Sequence, residues 1–263
     1  MRRAGRIVAA TRQKVVDAVR PGITTEQLDR VAEEHIAAAG ATPNFKGYRG
    51  FPATICASIN EQVVHGIPGK RVLKEGDLVS LDFGAIWETY HADSAITVFC
   101  GEPPSNEAEK LVRVTEESLQ AGISQVQEGK RLSDIGHAVQ QVVEGAGFSV
   151  VREYVGHGIG QSLHEDPQIP NYGDPGRGPS LRPGMVLAIE PMVNLGGWET
   201  RVLGDQWTVV TADGGVSAHF EHSVAVTEDG PLVLSRRESE VAPSVQRGQG
   251  AEGPRGQGEA RTT

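Results

Sequence analysis

Cysteine is almost missing. Among 263 residues only Cys56 and Cys100 are cysteines, and they lie far apart. They form neither a CxxC pair nor a disulfide framework, which excludes a stapled secreted scaffold and fits a reducing, cytoplasmic compartment. Long apolar runs are missing as well. None approaches the roughly 18 residues that span a bilayer. Arg6, Arg12 and Lys14 also interrupt the apolar stretch that a signal peptide needs. An excess of basic charge is absent: the formal net charge is −9, so no nucleic-acid partner and no membrane is expected. GxSxG, GxxxxGK[ST] and HExxH do not occur, which removes the serine-hydrolase elbow, the phosphate-binding P-loop and the helical zinc site. The GHGIG run from Gly156 lacks the Lys and Ser/Thr of a phosphate loop.

What is present repeats. "PGITTEQLDRVAEEHIAAAGA" from Pro21 and "EGKRLSDIGHAVQQVVEGAGF" from Glu128 align without a gap at an offset of 107. Gly22 matches Gly129, Leu28 matches Ile135 and Gly40 matches Gly147. Apolar residues recur at helical spacing in both, and each copy ends on a glycine suited to a helix C-terminus. Thr24 with Gln27 has the form of a capping box. Downstream, "EGDLVSLDFGA" and "RPGMVLAIEPM" each place an acid, Asp82 or Glu190, six residues after a glycine, now at offset 108. "YHADSAITVF" and "HFEHSVAVTE" then place Asp93 and Glu221 ahead of apolar strands. Each half reads helix, helix, strand with acid, strand with acid. Helices over 7–20 and 107–126 open the halves. The expected fold is α+β, built from halves spanning about residues 7–100 and 107–235 within one domain, 1–238. The tail, 239–263, is rich in Gly, Gln and charge and is expected to be disordered.

In "LVSLDFGAI", alternation puts Val79, Leu81, Phe83 and Ala85 on a core face and Asp82 on the other. A two-residue loop at Trp87–Glu88 would set Asp82 directly opposite Asp93, about 4.5–5.5 Å apart at Cβ. Like charges so placed repel, and a carboxylate pair on a small-residue face needs a cation or a shared proton. Four acids at repeat-related positions point to two divalent ions, roughly 3.5–4 Å apart, over the alternative of four solvent-facing acids.

"GHGIGQSLHEDP" adds His157 and His164. The glycines argue against a helix and allow positive φ or close backbone approach at a ligand. One imidazole among carboxylates favours Mn, Fe, Co or Zn over Mg or Ca. Spacing alone leaves open whether both histidines ligate or one touches substrate. His65, in "VVHGIPG", is a further site candidate, while His91, His219 and His222 flank acids as supporting or surface groups.

The stretches "SINEQVVHGIP", "GDLVSLDFGAIWETYHAD", "REYVGHGIGQSLHEDPQIPNY", "LRPGMVLAIEPMV" and "FEHSVAV" resemble the type I methionine aminopeptidases, bacterial form, from about Arg3 to Ser235. The resemblance implies the pseudo-symmetric pita-bread fold, an antiparallel sheet with helices on its outer face. It implies Asp82, Asp93, His157, Glu190 and Glu221 as metal ligands, with Asp93 and Glu221 bridging two ions. His65 and His164 match the family's substrate-contacting histidines, and Glu190 its proton carrier. Tyr48, Phe51, Cys56 and Trp207 match the methionine pocket. Asn60 and Ser217 fall where some members hold a monovalent cation. The implied reaction removes the initiator methionine of nascent chains, near the ribosome, when the second residue is small; the implied state is a monomer. Phe45 stands where a pocket cysteine is common and Leu163 where Phe is common, which reshapes that pocket. The chain begins near the middle of the family's usual first helix. Only 31 positions separate Glu190 from Glu221, too few for the insertion of type II enzymes. The alternatives are a proline-directed peptidase, which usually brings an additional N-terminal domain, and a non-catalytic binding protein, which would have lost ligands.

Overall fold

The computed structural model describes residues 1–236. The expectations for the tail at 239–263 and for a domain end at 238 lie outside the described residues. Four α-helices occur among the described residues: α1 (Arg2–Ala18), α2 (Thr25–Ala38), α3 (Asn106–Ser124) and α4 (Leu132–Gly145). Helices α1 and α3 thus start and stop earlier than the spacing predicts. The second helices match the repeat: adding the offset of 107 to both ends of α2 gives both ends of α4.

Local chemistry explains the helix starts. Gln27 N–H donates to Thr24 Oγ1 at 3.3 Å, and Thr24 N–H donates to Gln27 Oε1 at 2.8 Å, so the expected capping box forms. Ala108 N–H donates to Ser105 Oγ at 3.1 Å to start α3. After α2 and α4 the chain turns at Gly40 (φ 72°) and Gly147 (φ 88°), a left-handed backbone that favours glycine at both ends of the repeat.

The long-range contacts repeat too. Gly22 N–H donates to Leu73 O at 2.9 Å, and Gly129 N–H donates to Leu181 O at 3.1 Å. Thr24 bridges Val72, as Arg131 bridges Ser180. The two copies therefore share tertiary contacts as well as a pattern.

Every strand pairing in the sheets is antiparallel. In the first half, Leu78–Trp87 lies between Ile55–Ile59 and Tyr90–Phe99. In the second, Val186–Ile189 lies between Gly156–Gly158 and His222–Thr227. The halves meet where Glu221 N–H donates to Ala95 O at 3.0 Å and Ala95 N–H donates to Glu221 O at 3.3 Å. Thr97 Oγ1 and the Ser223 hydroxyl bond across the same seam, to His219 and Asp93 backbone. The two acid-bearing central segments thus meet at the centre of the molecule.

The helices cover one side. Val79, Leu81, Phe83 and Ala85 pack with Ile7, Val8, Leu28 and Ile36 from α1 and α2. Leu187 and Ile189 pack with Leu119, Ile123 and Ile135 from α3 and α4. Burying Phe83 fully contributes about 1.5–3 kcal/mol. With one strand face committed to helices, the alternate residues, among them Asp82 and Ala188, point to the opposite side.

One expectation needs correction. Trp87 pairs with Tyr90, so the hairpin loop is Glu88–Thr89, not Trp87–Glu88. Asp82 therefore faces Ala95, and Asp93 faces Gly84; the two acids are diagonal neighbours on one face. Glu88 takes the left-handed turn conformation (φ 57°) without the Gly or Asn that would announce it. Gly84 opposite Asp93 is required for another reason. A Cβ there would collide with the side chain of Asn44, which reaches over the sheet to donate to Ala92 O at 3.4 Å.

Candidate metal and substrate site

On the face away from the helices a cavity of about 190 Å³ opens. Its walls hold Asp82, Asp93, His157, Glu190 and Glu221, together with His65, His164, Tyr48, Phe51, Cys56 and Trp207. Phe45 and Leu163, the two departures from the pattern, line it as well. Residues scattered from 45 to 221 therefore share one wall, and each expected site residue except Asn60 and Ser217 is among them.

The polar end is built by the meeting of the halves. Asp93 and Glu221 come from the central seam, and His157 enters from Gly156–Gly158, on the far side of Val186–Ile189. Each of these three offers a ligand atom, and the atoms lie within 4.8 Å of one another. His157 Nε2 is 3.5 Å from Glu190 Oε1. Asp82 joins them from the adjoining strand, its carboxyl close enough to that of Asp93 for the pair to share a proton. The His157 ring is held by its other nitrogen: Nδ1 donates to Gly158 O at 2.9 Å, which leaves the Nε2 lone pair aimed at the acids. Neither Gly156 nor Gly158 has a positive φ. They are needed for close approach, since a Cβ at Gly156 would strike Ala188 O and one at Gly158 would strike Asp166 O.

Burial dominates the electrostatics. It raises the Asp82 carboxyl to about 7, against the opposing bonds from Asp93 and Phe83 N–H. Asp93, Glu190 and Glu221 are pushed well above the carboxylate range, first by burial and then by neighbouring acids: Asp82 acts on Asp93 and Glu190, and Asp93 most on Glu221. Asp82 as a residue is only half-buried, yet its Oδ1 is sealed from solvent without a hydrogen-bond partner, as is Glu221 Oε1. Sealed carboxylate oxygens with no donor fit a cation, and one imidazole among four carboxylates fits a divalent transition ion.

The apolar end is a cluster of Phe45, Phe51, Ala53, Cys56, Ile159, Leu163 and Ala188, closed by Tyr48 and Trp207. Phe51 meets Trp207 edge-on at 5.1 Å. Cys56 lies opposite Asp82 in the sheet, and burial first, then the Asp82 charge, keeps its thiol protonated. Between the two ends sit two histidines. His164 Nδ1 shares a 2.8 Å hydrogen bond with Tyr48 OH, and its ring lies 4.3 Å from that of His157. His65 stands at φ 60°, a strained backbone for a non-glycine residue. Burial lowers both His65 and His164 to about 4.

His219, left open between supporting and surface roles, is buried with Nε2 3.8 Å from Glu190 Oε2. His222 is buried on the helix side, where Nδ1 shares a 2.8 Å bond with Ser235 Oγ. Asn60 and Ser217 adjoin outside the cavity: Ser217 N–H donates to Asn60 O at 2.9 Å. Sequence reasoning missed Arg49, which lines the cavity between two expected pocket residues. Its place in "YRGF" was the available signal.

The model of metallopeptidase family M24 matches residues 1–228. Methionine aminopeptidase 1 of Bacillus subtilis is 57% identical over 236 residues, 90% of this chain and 95% of that protein. A methionine aminopeptidase of Clostridium perfringens is 55% identical over 235 residues, 89% of this chain and 94% of that protein. The crystal structure of methionine aminopeptidase from Thermotoga maritima superposes with a TM-score of 0.89 at 47% identity, covering 90% of this chain and 95% of that one.

Proposed function

The chain belongs to metallopeptidase family M24 and, within it, to the methionine aminopeptidases, and from that premise we propose how its residues remove an N-terminal methionine. The observation that carries the reading is the single cavity, with the metal-binding cluster at one end and the apolar cluster at the other. Asp82, Asp93, His157, Glu190 and Glu221 would hold the divalent ions of this reading, two of them, of Co, Mn, Fe or Zn. Bound there, such ions would supply Lewis acidity, which lowers the pKa of water toward neutral.

The protein side chains do the rest. Tyr48, Phe51, Cys56 and Trp207 enclose the unbranched methionine side chain, which suits an apolar slot. Glu190 accepts the proton of the attacking water and returns it to the leaving amine. His65 and His164 are neutral at physiological pH, since burial holds both near 4. When Tyr48 OH donates to His164 Nδ1, the proton of that imidazole sits on Nε2, ready to donate to the developing oxyanion. The cavity is smaller than the roughly 300–1,000 Å³ of pockets that enclose drug-sized ligands. It accommodates one residue, which supports cleavage after the first amino acid.

The reading extends to residues 1–238 as one catalytic domain, acting as a cytoplasmic monomer on nascent chains near the ribosome when the second residue is small. A monovalent cation near Asn60 and Ser217 belongs to it as well. The test is methionine release from Met-Ala-Ser by protein loaded with Mn or Co. Release with either metal is expected; no release with any metal, or preferential cutting of a proline peptide, overturns the proposal.

A further inference from the structure

We propose that Arg49 sets a charge preference for the substrate residues that follow the methionine, favouring an acidic side chain and disfavouring a basic one. The inference rests on the methionine-peptide reading of the cavity and goes beyond it by naming what is read outside the pocket. The cavity takes one residue, so the rest of the substrate must leave through its mouth. Arg49 is part of that mouth. It lines the cavity, yet it is exposed. Its backbone is left-handed (φ 48°), within a turn that has non-helical geometry at this residue. A non-glycine residue there is held by its surroundings. Its guanidinium carbon sits 5.4 Å from the centre of the Tyr48 ring, and Tyr48 in turn bonds His164. A permanent positive charge is thus stacked on the pocket wall next to the group that faces the scissile bond.

The opposite sign lies elsewhere. Glu165 and Asp166 line a separate cavity that adjoins the site at His157 and His164. A substrate leaving along that side would meet negative charge instead. The two exits predict opposite preferences, and the stacked arginine at the mouth of the methionine cavity favours the first.

The experiment compares kcat/KM for amidated Met-Ala-Xaa-Ser peptides, with Xaa as Glu, Gln or Lys, in wild type, Arg49→Gln and Arg49→Glu, each loaded with Mn. A solvent-exposed charge pair gives a wild-type Glu-over-Lys ratio of about two to five. The ratio should fall to about one in Arg49→Gln and invert in Arg49→Glu, and added salt should flatten it in wild type. A loss of Tyr48 positioning alone would lower all three peptides together and leave the ratio intact. A wild-type ratio of one, a preference for Lys, or a ratio that both variants retain overturns the inference. If no peptide is cut, Met-Ala-Gln-Ser included, it is the methionine reading of the cavity that has failed.

Discussion

Replacing Asp82 by Asn should make the metal-stripped protein less sensitive to pH. In the native fold burial raises the Asp82 carboxyl from an ordinary 3.8 to about 7. Between those values the folded state holds a proton that the unfolded state has released. Stability therefore falls as pH rises through that window, by about 1.4 kcal/mol per pH unit for each such proton. Over the whole window Asp82 alone accounts for about 4 kcal/mol, and Asp93, Glu190 and Glu221 push in the same direction. Urea unfolding of EDTA-treated protein measures it. Between about pH 5 and about pH 7 the wild-type midpoint should fall, and Asp82→Asn should recover about 2 kcal/mol of that loss, which is roughly 1 M in urea midpoint. Adding Mn should stabilise wild type more at the higher pH, where ligation has fewer protons to displace. Wild-type stability that rises with pH in EDTA, or an Asp82→Asn slope equal to that of wild type, would refute the assignment of this strain to the buried acids.

Three further outcomes can be checked together. His157→Ala should lose both bound metal and turnover, whereas His164→Ala should keep its metal and lose rate; metal analysis beside a Met-Ala-Ser assay separates them, and equal metal loss in both would contradict the division of roles. Tyr48→Phe removes the bond to His164 and should lower kcat/KM about fivefold; an unchanged value would mean that the bond does not position the imidazole. Thr24→Ala removes half of the capping box and should cost about 1 kcal/mol, or about 2–4 °C in Tm, while an unshifted melting curve would show that α2 does not depend on it.

Much of the fold is written in local pattern. The offset of 107 between the copies carries both ends of α2 onto those of α4, because apolar spacing and terminal glycines act within one helix. Strand alternation separates the core face of Phe83 from the site face of Asp82, because a pleated chain has no other way to turn its side chains. Registers are less legible. The hairpin turns at Glu88–Thr89, one residue past the expected loop, and neither residue marks the turn chemically. The acids still share a face there, because they pair diagonally instead of directly. Helix α1 also begins earlier than the apolar spacing suggests, since no side chain caps its start at Met1.

The sequence by itself determined the two-fold repeat, the helix pairs, and which residue types have chemistry to offer. Those properties depend on neighbours a few positions apart. Only the tertiary structure decided that Asp93 and Glu221 meet at the seam between the halves, and that His157 presents Nε2 to them while Gly158 holds Nδ1. It also decided that Arg49 stands at the mouth of the cavity and His219 beside Glu190. Each of these is a distance between residues remote in the chain. Such distances are fixed by how two sheets join and by what burial does to a charge once water is gone.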